Sequence, residues 1–137
     1  MQDLRIALDI HGVIDVKPIM FYAMTKKWAE DGCDIHILTG QPWKDAVGLL
    51  DHHNITYHHH YSIVDYHRAQ SDCNMSEDED GWWMPEEDWN KSKGVYCEEH
   101  KIDICFDNEL AYADFMPDTC MFVFIQPESF RGFAGLY

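Results

Sequence analysis

Four short apolar segments, each ending at a polar residue, constrain the fold of this chain more than any other feature. They occupy residues 4–8, 35–38, 102–106 and 121–125, and a weaker candidate covers residues 55–64 through a run of three histidines. Short apolar runs that stop abruptly are typical of strands buried on both faces of a sheet. The pattern therefore predicts a central sheet in the interior of the protein.

Helical patterns lie between these segments, at residues 19–30, 42–53, 94–100 and 110–115. In the first of them, Met20, Ala23, Met24 and Trp28 share one face, and Gly32 follows where a helix should end. Strands that alternate with helices favour parallel pairing, with helices on both faces of the sheet. We therefore expect an α/β protein, a Rossmann-like three-layer sandwich around a mainly parallel sheet.

Residues 65–90 interrupt this alternation. They contain the acidic run SEDEDG and the tryptophans Trp82, Trp83 and Trp89, which make the stretch too aromatic for a plain linker. We interpret it as an insertion after the third strand. With 137 residues in total, the chain is expected to form one domain, residues 1–137, that includes this insertion.

The charge of the chain limits its partners. Its 25 acidic and 10 basic residues give a formal net charge of −15. Because a nucleic-acid backbone is recognised by basic grooves, binding to nucleic acid is not expected. A divalent cation would find many carboxylates, although a solvated acidic surface is the simpler explanation for most of them.

Cysteine usage and the start of the chain favour a cytoplasmic protein. The five cysteines are an odd number without a CxxC pair, so neither a disulfide framework nor a zinc ribbon is expected: Cys33, Cys73, Cys97, Cys105 and Cys120. The first ten residues lack the basic start and apolar core of a signal peptide. No apolar run approaches the ~18 residues of a membrane span, so no membrane association is expected.

Three of the predicted strands end at residues whose side chains could take part in catalysis. Asp9 follows the first strand, Thr39 the second and Asp107 the strand at residues 102–106. In an open parallel sheet, ligands bind beyond the carboxyl ends of the strands, so these side chains are expected to converge. A carboxylate that attacks phosphorus, a hydroxyl that holds phosphoryl oxygens and a magnesium ion would suit phosphoryl transfer.

Four segments in order resemble the motifs of the haloacid-dehalogenase-like superfamily of phosphohydrolases. ALDIHGVID resembles the first motif, an apolar strand followed by Asp-x-Asp-Gly-Thr/Val, and HILTG resembles the second. Lys93, in NKSKGVYC just before a predicted helix, is the best match for the lysine of the third motif, with Lys91 as the alternative. ICFDNE resembles the fourth motif. The chain also looks like short phosphatase-like proteins of bacteria and their phages.

The resemblance implies a magnesium-dependent site. Asp9 would be the nucleophile and a magnesium ligand. The main-chain carbonyl of His11 and the carboxylate of Asp107 would be further ligands, with Asn108 close to the metal or its waters. The fourth motif often has a second aspartate where this chain has Asn108, so magnesium binding could be weaker than is usual in the family.

The resemblance also implies how the substrate is held and activated. Thr39 and Gly40 would bind the transferred phosphoryl group, and Lys93 would neutralise its charge and orient Asp9. The chain departs from the family at His11, where phosphatases usually carry a second aspartate as acid and base. An unperturbed imidazole, with a pKa near ~6.5, can in principle fill both roles.

Two other features suggest ligand sites. His58 and His60 would point to one face of a strand and His59 to the other, near a histidine pair at residues 52–53. No HExxH spacing occurs, so a polar strand end with solvated imidazoles competes with a transition-metal site. Trp82 and Trp83 are predicted to stack on a substrate base or sugar, or else to pin the insertion to the core.

The function predicted from these features is hydrolysis of a small phosphomonoester, with a nucleotide favoured as substrate, through an aspartyl-phosphate intermediate. The insertion would serve as a lid that selects the substrate. A protein that keeps the fold but has lost catalysis, and binds a phosphate, a nucleotide or a protein partner, is the alternative that His11 favours. Removal of a terminal phosphate from nucleic acid is a third possibility, which the net charge disfavours. The oligomeric state is left open.

Overall fold

A computed structural model describes residues 3–70 and 75–127 of the chain, which form an α/β fold. In chain order the strands are β1 (Arg5–Leu8), β2 (Asp34–Thr39), β3 (His59–Ser62), β4 (Ser76–Asp78), β5 (Gly81–Trp83), β6 (Ile104–Asp107) and β7 (Met121–Phe124). The α-helices are α1 (Pro18–Glu30), α2 (Trp43–His52), α3 (Ile63–Arg68) and α4 (Glu86–Glu99). Two 3-10 helices cover Ile14–Val16 and Leu110–Phe115.

Five of the strands form a parallel sheet in the order β3-β2-β1-β6-β7. The chain builds the sheet outward from β1 in one direction and then returns to the other side of β1 with β6. The carboxyl ends of β1 and β6 therefore flank the point where the strand order reverses, which is the usual place for a ligand crevice in open parallel sheets. β4 and β5 form a separate antiparallel hairpin.

The core is divided between the two faces of this sheet. Along β1, Ile6 and Leu8 belong to one apolar cluster and Ala7 belongs to the other, as the alternation of side chains along a strand requires. Buried residues of α1 and α2 complete the first cluster, and buried residues of α4 complete the second. Helices thus contribute to the core on both faces of the sheet.

The strands and the first two helices agree with the sequence-based expectations. The apolar runs at residues 4–8, 35–38, 102–106 and 121–125 correspond to β1, β2, β6 and β7, with bounds that differ by at most two residues. The weaker candidate at residues 55–64 contains β3, which is only four residues long. The helices expected at residues 19–30 and 42–53 correspond to α1 and α2, with bounds that differ by at most one residue. The segment at residues 110–115 is helical, but of the 3-10 type.

The expected bounds of the last α-helix were wrong. A helix was expected at residues 94–100, whereas α4 begins eight residues earlier at Glu86. Pro85 precedes it, and Glu86, Glu87 and Asp88 form an acidic first turn, which is favourable at the positive end of a helix. Lys93 therefore lies inside α4 rather than before a helix. The stretch at residues 65–90 contains most of α3, the hairpin and the start of α4, while residues 71–74 lie outside the described residues.

Two further properties concern the chain as a whole. None of the helices in the two described stretches has the length and apolar character that crossing a membrane requires. Cys33, Cys97, Cys105 and Cys120 have free thiols, and Cys73 lies outside the described residues.

Candidate active site

A buried lysine joins the two aspartates that follow β1 and end β6. Lys93 Nζ, reaching inward from α4, lies 3.2 Å from Asp9 Oδ1 and 2.7 Å from Asp107 Oδ2. Asp9 is held in place by its main chain, whose N–H donates to Phe106 O at 3.0 Å and so continues the pairing of β1 with β6. The three charged groups therefore meet at the crevice that the strand order predicts.

These charges are almost completely buried. Lys93 is 1% exposed and Asp107 is fully buried, which is tolerated only because the charges are paired. Burial raises the pKa of Asp9 to about 6, with Asp107 acting in the same direction and Lys93 opposing it. Burial alone would lower the pKa of Lys93, but Asp9 and Asp107 together raise it above its ordinary value. Two carboxylates and one ammonium leave a net negative charge that a cation would stabilise.

The side chain of Asn108 lies beside Asp9 and the main-chain carbonyl of His11. The side-chain amide of Asn108 lies 3.1 Å from Asp9 Oδ2 and 3.2 Å from the main-chain oxygen of His11. With its NH₂ group turned inward, Asn108 donates hydrogen bonds to both atoms. With its oxygen turned inward, the amide oxygen would face Asp9 Oδ2 and the His11 carbonyl oxygen, and a cation bound to them would offset the repulsion. Oxygen ligands at such spacing suit Mg²⁺, so these residues fit the expected metal.

Asp107, which was also expected to bind magnesium, has both carboxylate oxygens engaged. Oδ2 accepts from Lys93, and Oδ1 accepts from the main-chain N–H of Glu109 at 3.0 Å. In the structure its immediate role is to hold Lys93. Its role as a magnesium ligand stays a prediction.

Gly12 allows the close approach of Asn108. Its φ of +84° lies in the left-handed region that favours glycine, and a Cβ atom there would overlap the Asn108 amide. The Gly12 N–H also donates to Asp15 Oδ1 at 2.7 Å, which fixes the turn after Asp9. The turn thus lets the Asn108 amide lie close to both Asp9 Oδ2 and the His11 carbonyl.

The imidazole of His11 is half-exposed at the edge of the cleft and held from both sides. Its Nδ1 lies 3.3 Å from Asp15 Oδ2, and its Nε2 lies 3.1 Å from Gln41 Oε1. A protonated ring would donate to both neighbours, whereas a neutral ring can donate to only one of them. Asp15 and Gln41 therefore orient the ring.

The opposite wall is formed after β2 and by α4. Thr39 is buried at the end of β2, and its hydroxyl accepts from the Gln41 N–H at 3.2 Å, which leaves its own proton free to donate. A Cβ atom at Gly40 would lie 2.7 Å from the Trp89 ring, so glycine permits this packing. Trp89 Nε1 donates to the Tyr112 hydroxyl at 2.8 Å, and Lys93 Nζ lies 5.0 Å from the Tyr112 ring centre.

The cleft over these groups has a volume of about 310 Å³. Its lining includes the expected residues Asp9, His11, Thr39, Gly40, Lys93, Asp107 and Asn108, and also Gln41, Glu109 and Tyr112. The sequence analysis did not assign the last three to the site. Their adjacency to strand ends was a usable signal for Gln41 and Glu109, but Tyr112 lies in a 3-10 helix that the sequence did not connect with the site.

Some expected site residues lie elsewhere. Lys91 Nζ pairs with Asp88 Oδ1 at 3.3 Å on the surface of α4, so the geometry identifies Lys93 as the lysine of the site. Trp82 stacks under Arg68, whose Cζ is 4.7 Å from the ring centre, and Trp83 Nε1 donates to Asp78 Oδ1 at 2.8 Å. Neither tryptophan lines the cleft.

No protein-family model, no curated protein and no solved structure matches the chain. Its function is therefore inferred from the chemistry of the cleft.

Proposed function

We propose that this protein is a magnesium-dependent phosphomonoester hydrolase of the haloacid-dehalogenase-like type, which acts on a small phosphorylated metabolite and favours a nucleotide. The observation that supports this most directly is the position of Lys93 Nζ between Asp9 Oδ1 and Asp107 Oδ2 at the reversal of the strand order. That arrangement presents a carboxylate nucleophile beside a fixed positive charge. Attack on a phosphoryl group needs both.

In the first step, a carboxylate oxygen of Asp9 attacks phosphorus. A bond forms between that oxygen and phosphorus, and the bond from phosphorus to the leaving oxygen breaks. Because the pKa of Asp9 is about 6, the carboxylate is largely ionised at neutral pH and able to attack. The product of the step is an aspartyl phosphate on Asp9.

Lys93 and Thr39 hold the phosphoryl oxygens during this step. An ammonium group has three N–H donors, and Lys93 uses two of them on Asp9 and Asp107. The third remains available for a phosphoryl oxygen. The Thr39 hydroxyl, whose oxygen already accepts from Gln41, can donate its proton from the other wall. Donors fixed in advance in this way stabilise the transition state without reorganisation.

His11 is proposed as the acid and base. As imidazolium it gives a proton to the leaving oxygen, and as neutral imidazole it then takes a proton from the water that attacks phosphorus. The second attack breaks the bond to Asp9 and releases inorganic phosphate. Asp15 and Gln41 hold the ring, and its position at the edge of the cleft lets it reach a leaving group.

Asp9 Oδ2, the His11 carbonyl and the Asn108 amide oxygen would hold magnesium, with Asp107 next to them. When bound, Mg²⁺ would offset the negative charge of the phosphoryl group and of the two aspartates.

The proposal includes a finer description of the fold. The α/β architecture would be a Rossmann-like three-layer sandwich forming one domain, and the β4–β5 hairpin would act as a small lid. In support of the lid, the hairpin immediately precedes the turn of α4 whose Trp89 packs against Gly40, a residue of the cleft lining.

A second candidate function is binding without catalysis. It is favoured by His11, whose two ring nitrogens already face Asp15 and Gln41 at hydrogen-bonding distance. A ring restrained in this way could leave a phosphorylated ligand bound and intact. The cleft would then serve a phosphate- or nucleotide-binding protein, which could also bind a protein partner.

A screen of phosphomonoesters separates the two functions. Purified protein is assayed for phosphate release from nucleotides and small esters, with magnesium and with chelator, from acidic to neutral pH. We expect magnesium-dependent release that Asp9→Asn abolishes. Asp51→Asn, which removes the same charge from the exposed end of α2, should retain it. Tight binding of a nucleotide without release at any pH would support the second candidate instead.

A further inference from the structure

A second cluster of metal-binding groups lies at the opposite ends of the strands from the cleft. Asp34 is the first residue of β2 and His59 the first residue of β3, and His36 of β2 pairs in register with His59. One ligand atom from each of the three residues lies within 4.8 Å of the other two. The parallel register brings His59 to Asp34 and His36, which lie 25 and 23 positions earlier in the chain.

The distances within this cluster suit a bound ion. His36 Nε2 lies 3.2 Å and His59 Nε2 lies 3.1 Å from Asp34 Oδ2. Metal–ligand bonds of about 2.0–2.1 Å at tetrahedral angles place neighbouring ligand atoms about 3.3 Å apart. The two distances to Asp34 Oδ2 are therefore those expected between ligands that share one ion.

The surroundings orient His36 as they do in metal sites. His36 is buried, and its Nδ1 lies 2.7 Å from the Tyr96 hydroxyl of α4. When Nδ1–H donates to that hydroxyl, the lone pair of Nε2 points toward Asp34 and is available to a cation there. A hydrogen bond on the far ring nitrogen is the usual way in which proteins fix a ligand histidine. Asp34 and His59 are partly exposed, which leaves a path for the ion and room for a water ligand.

We propose that Asp34, His36 and His59 form a binding site for a divalent transition metal of the zinc class. Two imidazoles and one carboxylate are borderline ligands that favour such ions over Mg²⁺, whose preference is for oxygen. The ion would link β2 to β3. Because His36 also contacts the Tyr96 hydroxyl, the ion would stabilise the packing of α4 as well. Because the cluster shares no residue with the cleft, the site does not depend on the proposed phosphatase activity.

The test is calorimetric titration of the reduced, chelator-treated full chain with Zn²⁺, in the presence of excess Mg²⁺ to occupy oxygen-ligand sites. We expect one zinc ion per chain and a rise in thermal stability on binding. His59→Gln and Asp34→Asn, both at partly exposed positions, should weaken zinc affinity roughly tenfold or more. His52→Gln, at an exposed histidine on α2, should leave the affinity unchanged.

Two further variants identify the site that is titrated. Asp9→Asn should bind zinc as wild type does, because the cleft is not involved. The buried thiols of Cys97, Cys105 and Cys120, which interact with one another, are the other zinc ligands to be tested, so Cys120→Ser should also bind as wild type does. Absence of zinc binding by wild type, unchanged binding by His59→Gln, or loss of binding in Cys120→Ser would each overturn the proposal.

Discussion

At the scale of single residues, the candidate site depends on one ammonium group shared by two carboxylates. Lys93 is 1% exposed, and without Asp9 and Asp107 its burial would be strongly unfavourable. The converse also holds, since without Lys93 two carboxylates would be left beside each other in a buried position. The sequence motifs identified these residues, but only the structure shows that Lys93 contacts both aspartates.

Replacing Lys93 with methionine should therefore destabilise the protein. Lys93→Met keeps the length of the side chain but leaves the carboxylates unpaired, at an expected cost of about 3–5 kcal/mol at pH 7. Lys91→Met, at a surface ion pair on the same helix, should cost no more than about 0.5 kcal/mol. Urea unfolding of both variants measures the difference. Equal stability of the two variants would show that the Lys93 pairing is not formed.

The raised pKa of Asp9 predicts the direction of a pH effect on stability. The folded chain holds the Asp9 proton up to about pH 6, whereas an unpaired aspartate loses it near 3.8. The stabilising effect of Asp9 is therefore complete below pH 3.8 and lost as the pH rises through 6. The free energy of unfolding of Asp9→Asn is compared with that of wild type by urea unfolding with chelator present. As the pH rises from 4 to 7, the difference should shift in favour of the variant by on the order of 2 kcal/mol. A constant or falling difference would contradict this prediction.

At the scale of elements, the residues just after the strands build the site, and Gly12 tests this most sharply. Gly12→Ala should push the Asn108 amide away from Asp9 and weaken magnesium binding roughly tenfold or more. Gly81→Ala is the matched control, because Gly81 also has a positive φ, of +134°, but open space around its missing Cβ. Calorimetry with Mg²⁺ gives both affinities. A similar affinity in the two variants would remove Asn108 from the metal site.

The hairpin offers a second prediction at this scale. If it closes over the leaving group, replacing Trp82 and Trp83 together with alanine should raise KM for a nucleotide while sparing a small phosphate ester. Trp89→Ala, which removes the ring that packs against Gly40 and donates to Tyr112 in the lining of the cleft, should impair both substrates. Steady-state kinetics on the two substrates decides between these patterns. An equal loss on both substrates in the double variant would mean that the hairpin has only a structural role.

Helix α4 explains why some elements were harder to predict than others. The strands are short apolar runs whose burial is visible residue by residue. In α4, by contrast, Ser92, Lys93 and Gly94 are buried although none is apolar, so the apolar periodicity that marks a covered helix is weak. Lys93 is buried because of partners on other elements, which a local pattern does not contain. The acidic turn after Pro85 was the one local signal for the true start of the helix.

At the scale of the whole molecule, the topology of the sheet brings the site together. Asp9, Thr39 and Asp107 could be placed at one edge from sequence because parallel strands share the direction of their ends. The cluster of Asp34, His36 and His59 could not be predicted from the sequence, because it depends on the register of β2 against β3. His36 did not indicate a metal site, because a single polar residue within a buried strand does not reveal which residues lie beside it. The same topology separates the two candidate sites at opposite ends of β2.

The central claim is that Asp9 becomes phosphorylated during turnover, and acid quenching followed by mass spectrometry tests it most directly. His11→Ala should slow the attack of water more than the first step when the leaving group is a phenol, so the intermediate should accumulate. With magnesium and a phenyl phosphate ester, we expect the mass of one phosphoryl group to be added to this variant and located on Asp9. The same experiment on the variant that also carries Asp9→Asn should show no added mass. Phosphate release without any phosphorylated protein, or a phosphoryl group located on another residue, would contradict the account.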